Sequence, residues 1–206
     1  MKHHLILDFE TLGQDVHKCA IIDVSVMVFD WDRFCSDNPY TYKDIELTKR
    51  FKLSVKDQTS NYDYEIQKDT IEFWEQQEKE VRTKITPKPD DLTVKEFTDQ
   101  FLDFLIDGPK IEYWWSRSNT FDPVILERLF KSQGKVKHMQ EHLKYWAVRD
   151  TRTWIDAKLN FPKTNGFTPV NREEWDKVFK KHDSSWDILA DVLRMQFIDR
   201  IENDVD

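Results

Sequence analysis

The chain has 206 residues, 39% hydrophobic and 34% charged, a balance that suits one globular domain with a substantial core. Its net charge of −8 argues against a protein that coats nucleic acid, which would be basic; an enzyme whose acids are offset by bound cations stays open. Two cysteines, Cys19 and Cys35, make no disulfide framework and match no zinc spacing. No signal peptide or membrane-spanning run is visible, so a cytoplasmic setting is expected.

Residues 4–9 read as a buried strand that runs into Asp8-Phe9-Glu10-Thr11-Leu12-Gly13. Positions i and i+2 of a strand share a face, so Asp8 and Glu10 stand side by side. Two such charges repel, and burial worsens the repulsion. A divalent cation bound by both is the usual remedy, so the pair points to a metal site at a strand end. Asp-x-Glu alone is common on surface strands and turns; the apolar run before it gives it weight.

Residues 19–30 form a second strand rich in Val and Ile, and the alternating residues 45–54 a third, so the chain opens as an antiparallel meander. Residues 57–69 are polar and read as loop. A helix starts at Thr70-Ile71-Glu72-Phe73-Trp74-Glu75, with Asp69 or Thr70 as its N-cap, and Pro87 and Pro89 break the chain beyond it. Residues 92–106 form an amphipathic helix with Phe97, Phe101, Leu102, Phe104 and Leu105 on its apolar face, ended by Gly108-Pro109.

Residues 110–116 form a strand in which Trp114 and Trp115 face opposite sides, both expected in the core. Then follow a helix over 121–132 closed by Gly134, a short helix over 138–144, a strand over 145–150, a helix over 151–158 and a loop over 160–171. The last helix covers about 184–201. Its opening, Ser184-Ser185-Trp186-Asp187, fits a capping box with the acid at the third helical position. No repeat or linker divides residues 1–206, so a single domain is expected. Its fold class is α/β: a mixed sheet of about five strands, the meander followed by strands alternating with helices, flanked by helices.

In such sheets ligands gather beyond the carboxyl ends of the strands. Asp8 and Glu10 end the first strand, Asp122 opens the helix after the fourth, and Asp187 lies in the first turn of the last helix with His182 just before it. Singly these are weak signals. Asp122 and Asp187 each fit an acid that favours a helix N-terminus, and the five-residue spacing of His182 and Asp187 also relates His3 to Asp8. It is the ordered set, each member at an element end, that argues for one site.

That set resembles the DEDD superfamily of 3′→5′ exonucleases, in the DEDDh subtype that carries histidine five residues before the last aspartate. Asp8 to Gly13 is similar to the first exonuclease motif, Arg117 to Asp122 (RSNTFD) to the second, and Lys181 to Asp187 (KHDSSWD) to the third. Thr70 to Trp74 (TIEFW) and Asp150-Thr151 add to the likeness, which is greatest to a phage exonuclease and related small exoribonucleases and covers most of the chain.

The resemblance implies an RNase H-like fold and a metal-dependent 3′→5′ exonuclease that releases nucleoside 5′-monophosphates from single-stranded ends. It implies two Mg²⁺ ions, replaceable by Mn²⁺, with Asp8 shared between them, Glu10 and Asp187 on one and Asp122 on the other. His182 would be the general base, having an ordinary pKa near neutrality. Thr11 and Leu12 would hold the terminal nucleotide, Leu12 against its base, and Phe121 and Trp186 would offer stacking surfaces. Many relatives carry Asn where this chain has Ser118, so Arg117 or Asn119 is expected to make that substrate contact. DNA against RNA is undecided, with DNA slightly favoured and an exoribonuclease the alternative. The partners are single-stranded 3′ ends; a homodimer is possible.

Two readings from other classes compete. One is a nucleic-acid-binding module without catalysis, which has no use for clustered carboxylates near phosphates. The other is a zinc peptidase built on His138, Glu141 and His142, whose His-x-x-Glu-His order matches inverted zinc peptidases. That segment is short and polar with no evident third ligand, and a solvated helix is the plainer reading.

Overall fold

A computed structural model describes residues 2–159 and 172–204, with nothing said of the side chains of residues 172–174. Five strands form one sheet: β1 (His3–Thr11), β2 (Ile21–Asp30), β3 (Thr48–Lys52), β4 (Tyr113–Ser116) and β5 (Val148–Asp150), in the order β3-β2-β1-β4-β5. β1, β2 and β3 are antiparallel neighbours, whereas β4 and β5 run parallel to β1. This is the mixed sheet expected from the sequence.

Alternation along β1 divides the interior. Leu5, Leu7 and Phe9 point into one core, with Phe97, Phe101 and Phe130. Ile6 points into the other, with Met27, Trp115 and the long last helix. Asp8 and Glu10 continue the Ile6 face toward that helix. Trp114 and Trp115 split between the two cores, as their adjacency in a strand requires.

Nine helices are described: α1 (Val55–Asn61), α2 (Lys68–Glu75), α3 (Lys79–Ile85), α4 (Val94–Asp107), α5 (Asp122–Ser132), α6 (Val136–His142), α7 (Thr151–Leu159), α8 (Arg172–Val178) and α9 (Ser184–Glu202). α4 forms because Phe97, Phe101 and Leu105 recur every fourth residue and are all buried, and because Thr93 and Glu96 make a capping box. Truncating a fully buried phenylalanine such as Phe101 to Ala would cost about 3–5 kcal/mol. Among the described residues no helix is long and apolar enough to cross a membrane.

Several boundaries differ from the expectations. Residues 57–69 are not all loop, since α1 begins at Val55. Ser54 caps it, and the buried Gln58 side chain accepts from Ile21 N and donates to Ile21 O, both at 2.8 Å, tying the helix to β2 as a strand neighbour would. α2 starts at Lys68 with Gln67 as N-cap, not at Asp69 or Thr70, and α3 is a separate helix before Pro87. The N-cap of α9 is Asp183, whose carboxylate accepts from Ser185 N at 3.2 Å, so Asp187 sits one position beyond the place a capping box gives it. β3 and β5 are shorter than expected because 3-10 turns, Tyr42–Leu47 and Tyr145–Ala147, take their first residues. The loop expected over residues 160–171 lies outside the described residues.

Candidate active site

The site forms where β1 outruns its parallel neighbour. β1 pairs with β4 from His4 to Ile6, and beyond that the edge facing β4 has no strand partner among the described residues. The buried Asp122, at the first position of α5, fills the gap: its Oδ1 accepts from Phe9 N at 3.1 Å, between the two acidic residues of β1. Pro123 follows at the second helical position, where a missing N–H costs nothing.

From the other side α9 crosses β1 and β2 and brings Asp187 to the Ile6 face. Carboxylate oxygens of Asp8, Glu10 and Asp187 all lie within 4.8 Å of one another. Burial, then repulsion by Glu10, pushes Asp8 well above the usual carboxylate range. Glu10 is raised likewise by burial and then by Asp23, its partner across β2. Burial is also the leading cause for Asp122 and Asp187, each raised to about 7. Burial leads in all four, and the groups that oppose it, Arg194 and Arg117 at Asp187 and the Phe9 N–H at Asp122, offset it only in part, so the site favours added positive charge. The donors are all hard oxygens, which suit a divalent cation such as Mg²⁺ or Mn²⁺ and not a thiolate- or imidazole-preferring ion.

Beside Glu10 lies a cleft of about 410 Å³, lined by Thr11, Gly13, Gln67, Phe73, Trp74 and Phe121. Its floor is tight. A Cβ on Gly13 would approach Cys19 Cβ to 3.0 Å and Gln67 Cδ to 3.1 Å, so a larger residue there would have to push these side chains aside. Trp74 Nε1 donates to Thr11 O at 2.9 Å, locking α2 to the end of β1. His182 packs against two of the residues that line the cleft. Its ring meets Phe73 edge-on at 4.9 Å and Trp74 at 6.4 Å, and its φ of 62° lies in the left-handed region. Burial, then the charge of Lys181, lowers its pKa and favours the neutral imidazole.

The remaining candidates scatter. Thr11 and Phe121 line the cleft, but the Thr11 hydroxyl donates to Gly13 O at 2.7 Å. Leu12 lines a neighbouring apolar groove of about 420 Å³ with Ile22, Ile71 and Trp74. Arg117 pairs with Asp191 at 2.5 Å. Asn119 lines a separate cleft with Trp114 and Tyr145, and its backbone N–H donates to Asp150. Trp186 packs on Trp175. His138, Glu141 and His142 lie on α6 outside the metal-capable group, and the first two are exposed.

Sequence reading missed the acids on either side of Asp187. Asp183, Asp187 and Asp191 recur every fourth residue and so share one face of α9. Asp183 is clamped by Arg50 and Lys84. Asp191 receives Arg117, Arg194 at 2.7 Å and the Thr151 hydroxyl at 2.5 Å. The spacing was visible; the cations, drawn from β3, α3, the end of β4 and α9 itself, were not.

Comparison with known proteins places this geometry. Residues 3–187 match the family described as 3'-5' exoribonuclease Rv2179c-like domain. An exodeoxyribonuclease of Enterobacteria phage T4 is 31% identical over 209 residues, covering 93% of this chain and 87% of that protein. The fold is shared with the zinc-bound E. coli ExoI–ssDNA complex, at a TM-score of 0.66 and 14% identity over 100% of this chain. It is shared also with cell-death related nuclease 4 (CRN-4), at a TM-score of 0.57 and 15% identity over 98% of this chain. The chain spans 42% of the ExoI chain and 64% of the CRN-4 chain. A match over nearly the whole chain, with the acidic set at the strand ends of an exonuclease fold, is decisive: the chain belongs to the 3'-5' exoribonuclease Rv2179c-like family and is a 3′→5′ exonuclease.

Proposed function

We propose that the chain hydrolyses the terminal phosphodiester of single-stranded DNA from the 3′ end, releasing nucleoside 5′-monophosphates. Asp8, Glu10, Asp122 and Asp187 would hold divalent cations, and His182 would be the general base. The observation that carries this reading is the convergence of Asp8, Glu10 and Asp187 within 4.8 Å, with Asp122 bound to the backbone between them. Two bound Mg²⁺ ions would supply charge for the attacking and leaving oxygens of an in-line displacement.

The protein's own groups account for the rest. Asp8 and Glu10 are aimed by the pleat of β1, and Asp187 by a helix packed across that strand. The acids therefore sit on rigid elements, and little is reorganised when charge develops. His182, kept neutral by burial, accepts the proton of the attacking water at an imidazole nitrogen. Thr11 and Phe121 face the cleft that would receive the terminal nucleotide, Phe121 offering its ring to a base. The engagement of Arg117 with Asp191 supports a role in holding α9, not in touching phosphate. The preference for DNA rests on the phage relative, which is an exodeoxyribonuclease. The membership of an exoribonuclease family keeps RNA as the second reading.

The test is a side-by-side assay of 5′-labelled and 3′-labelled DNA and RNA oligonucleotides, single- and double-stranded, with Mg²⁺, Mn²⁺ or EDTA. Stepwise shortening of the 5′-labelled single-stranded DNA, prompt release of the 3′ label as a mononucleotide, and silence in EDTA are expected. Activity that survives EDTA would remove the metal assignment. His182→Asn should lower kcat roughly 10²–10⁴-fold, the range for a lost general base, and an unchanged rate would remove that role.

A further inference from the structure

We propose that Lys84 is a positioning residue for His182: from α3 it clamps the buried Asp183 carboxylate and so sets the backbone and ring of the preceding histidine. The inference rests on the reading of His182 as the base.

Among the described residues no hydrogen bond reaches the His182 ring. It is held by edge contacts to Phe73 and Trp74 of α2, and Phe73 is itself 40% exposed, so these contacts cannot fix it alone. The backbone must do so, and it is in the left-handed region, with φ at 62°. A non-glycine residue stays there only when its surroundings over-determine it.

Anchors stand on both sides. Before the histidine, Lys180 pairs with Glu80 at 3.0 Å and with Glu78 at 3.5 Å, solvent-exposed partners of small consequence. After it, Asp183 is 3% exposed and takes Lys84 on one oxygen and Arg50 on the other. Arg50 also reaches Asp23 at 3.8 Å and Ser25 Oγ at 3.4 Å, so it belongs equally to the sheet. Lys84 has Asp183 as its one carboxylate partner among the described residues, and its side chain is 46% exposed. α2 therefore touches the imidazole while α3 grips the adjoining carboxylate, and the helix pair holds His182 by ring and by backbone. A stabilising surface pair would do nothing to the ring; a positioning residue must.

The experiment compares Lys84→Met, which keeps the aliphatic stem, with Lys84→Arg, which keeps the charge. The first readout needs no activity: the His182 Cε1–H resonance, displaced in the folded protein by the Phe73 ring it meets edge-on. Lys84→Met should move this resonance toward the position of a free histidine and lower kcat roughly 10- to 10²-fold at unchanged KM, the scale of a misplaced catalytic group. Lys84→Arg should restore both. In a His182→Asn background Lys84→Met should lower kcat no further. The proposal is overturned if Lys84→Met leaves the resonance in place, or if it lowers kcat equally with and without His182. Failure of the base reading shows separately, as an undiminished rate in His182→Asn alone.

Discussion

The three aspartates on one face of α9 have two different fates. Asp183 and Asp191, at the two ends, are buried and surrounded by the protein's own cations: Arg50 and Lys84 for the first, Arg117 and Arg194 for the second. Asp187 lies midway between them and groups with Asp8 and Glu10 instead, with the charges of Arg194 and Arg117 offsetting its burial only in part. Had the helix merely needed satisfied acids, a cation could have served the middle position as it serves the outer two. The fold instead brings three acids together and leaves them only partly offset. Protein cations brace the helix, and the middle position is left for charge that arrives from solution.

The contrast predicts opposite results from similar substitutions. Asp187→Asn should abolish Mg²⁺-dependent degradation of a 5′-labelled single strand, a larger loss than the roughly 10²–10⁴-fold expected for His182→Asn. Degradation at the wild-type rate would break the comparison. Asp191→Ala removes a buried partner from two arginines and should lower unfolding free energy by about 3–5 kcal/mol in urea, whatever its effect on rate. Stability unchanged within error would mean that the outer pairs are decorative.

A smaller effect concerns pH. The folded pKa of Asp187, about 7, lies above the ordinary aspartate value of 3.8, so the folded state binds a proton more tightly than the unfolded one. Its ionisation therefore costs stability as pH rises through that interval. The penalty is fully present above about 7 and absent below 3.8. In EDTA, Asp187→Asn should raise the melting temperature most at pH 8 and hardly at all near pH 4. Comparing variant with wild type cancels the contribution of buried His4, whose pKa is lowered to about 4 and acts in the other direction. A gain that is the same at both pH values would sink this reading.

The mixed sheet was legible because its opening strands carry clear runs: Leu5 to Leu7 is apolar, and residues 21–30 are dense in Val and Ile. The acidic set was legible because Asp8 and Glu10 are fixed by the pleat, and Asp122 and Asp187 by helix starts. α1 was not, since its Val55–Asn61 sequence is polar and its stability comes from Gln58 bonding to the distant Ile21 backbone, which no local pattern announces. Arg117 or Asn119 was expected at substrate from the resemblance, and the ion pair that engages Arg117 was equally invisible in the sequence. Its partner Asp191 lies 74 residues away, and the pair exists only once β4 and α9 have met. Local periodicity writes strands and helix ends into a sequence, whereas polar pairs across the fold are set by the packing that follows.

The central claim, that the middle aspartate is reserved for a divalent cation, meets its most direct test in one measurement: the melting temperature of wild type and of Asp187→Asn at pH 8, each with EDTA and with Mg²⁺. Without the cation the variant should melt higher than wild type, and Mg²⁺ should raise wild type by several degrees while shifting the variant little. A variant that melts lower in EDTA, or that gains as much from Mg²⁺ as wild type does, would contradict the account.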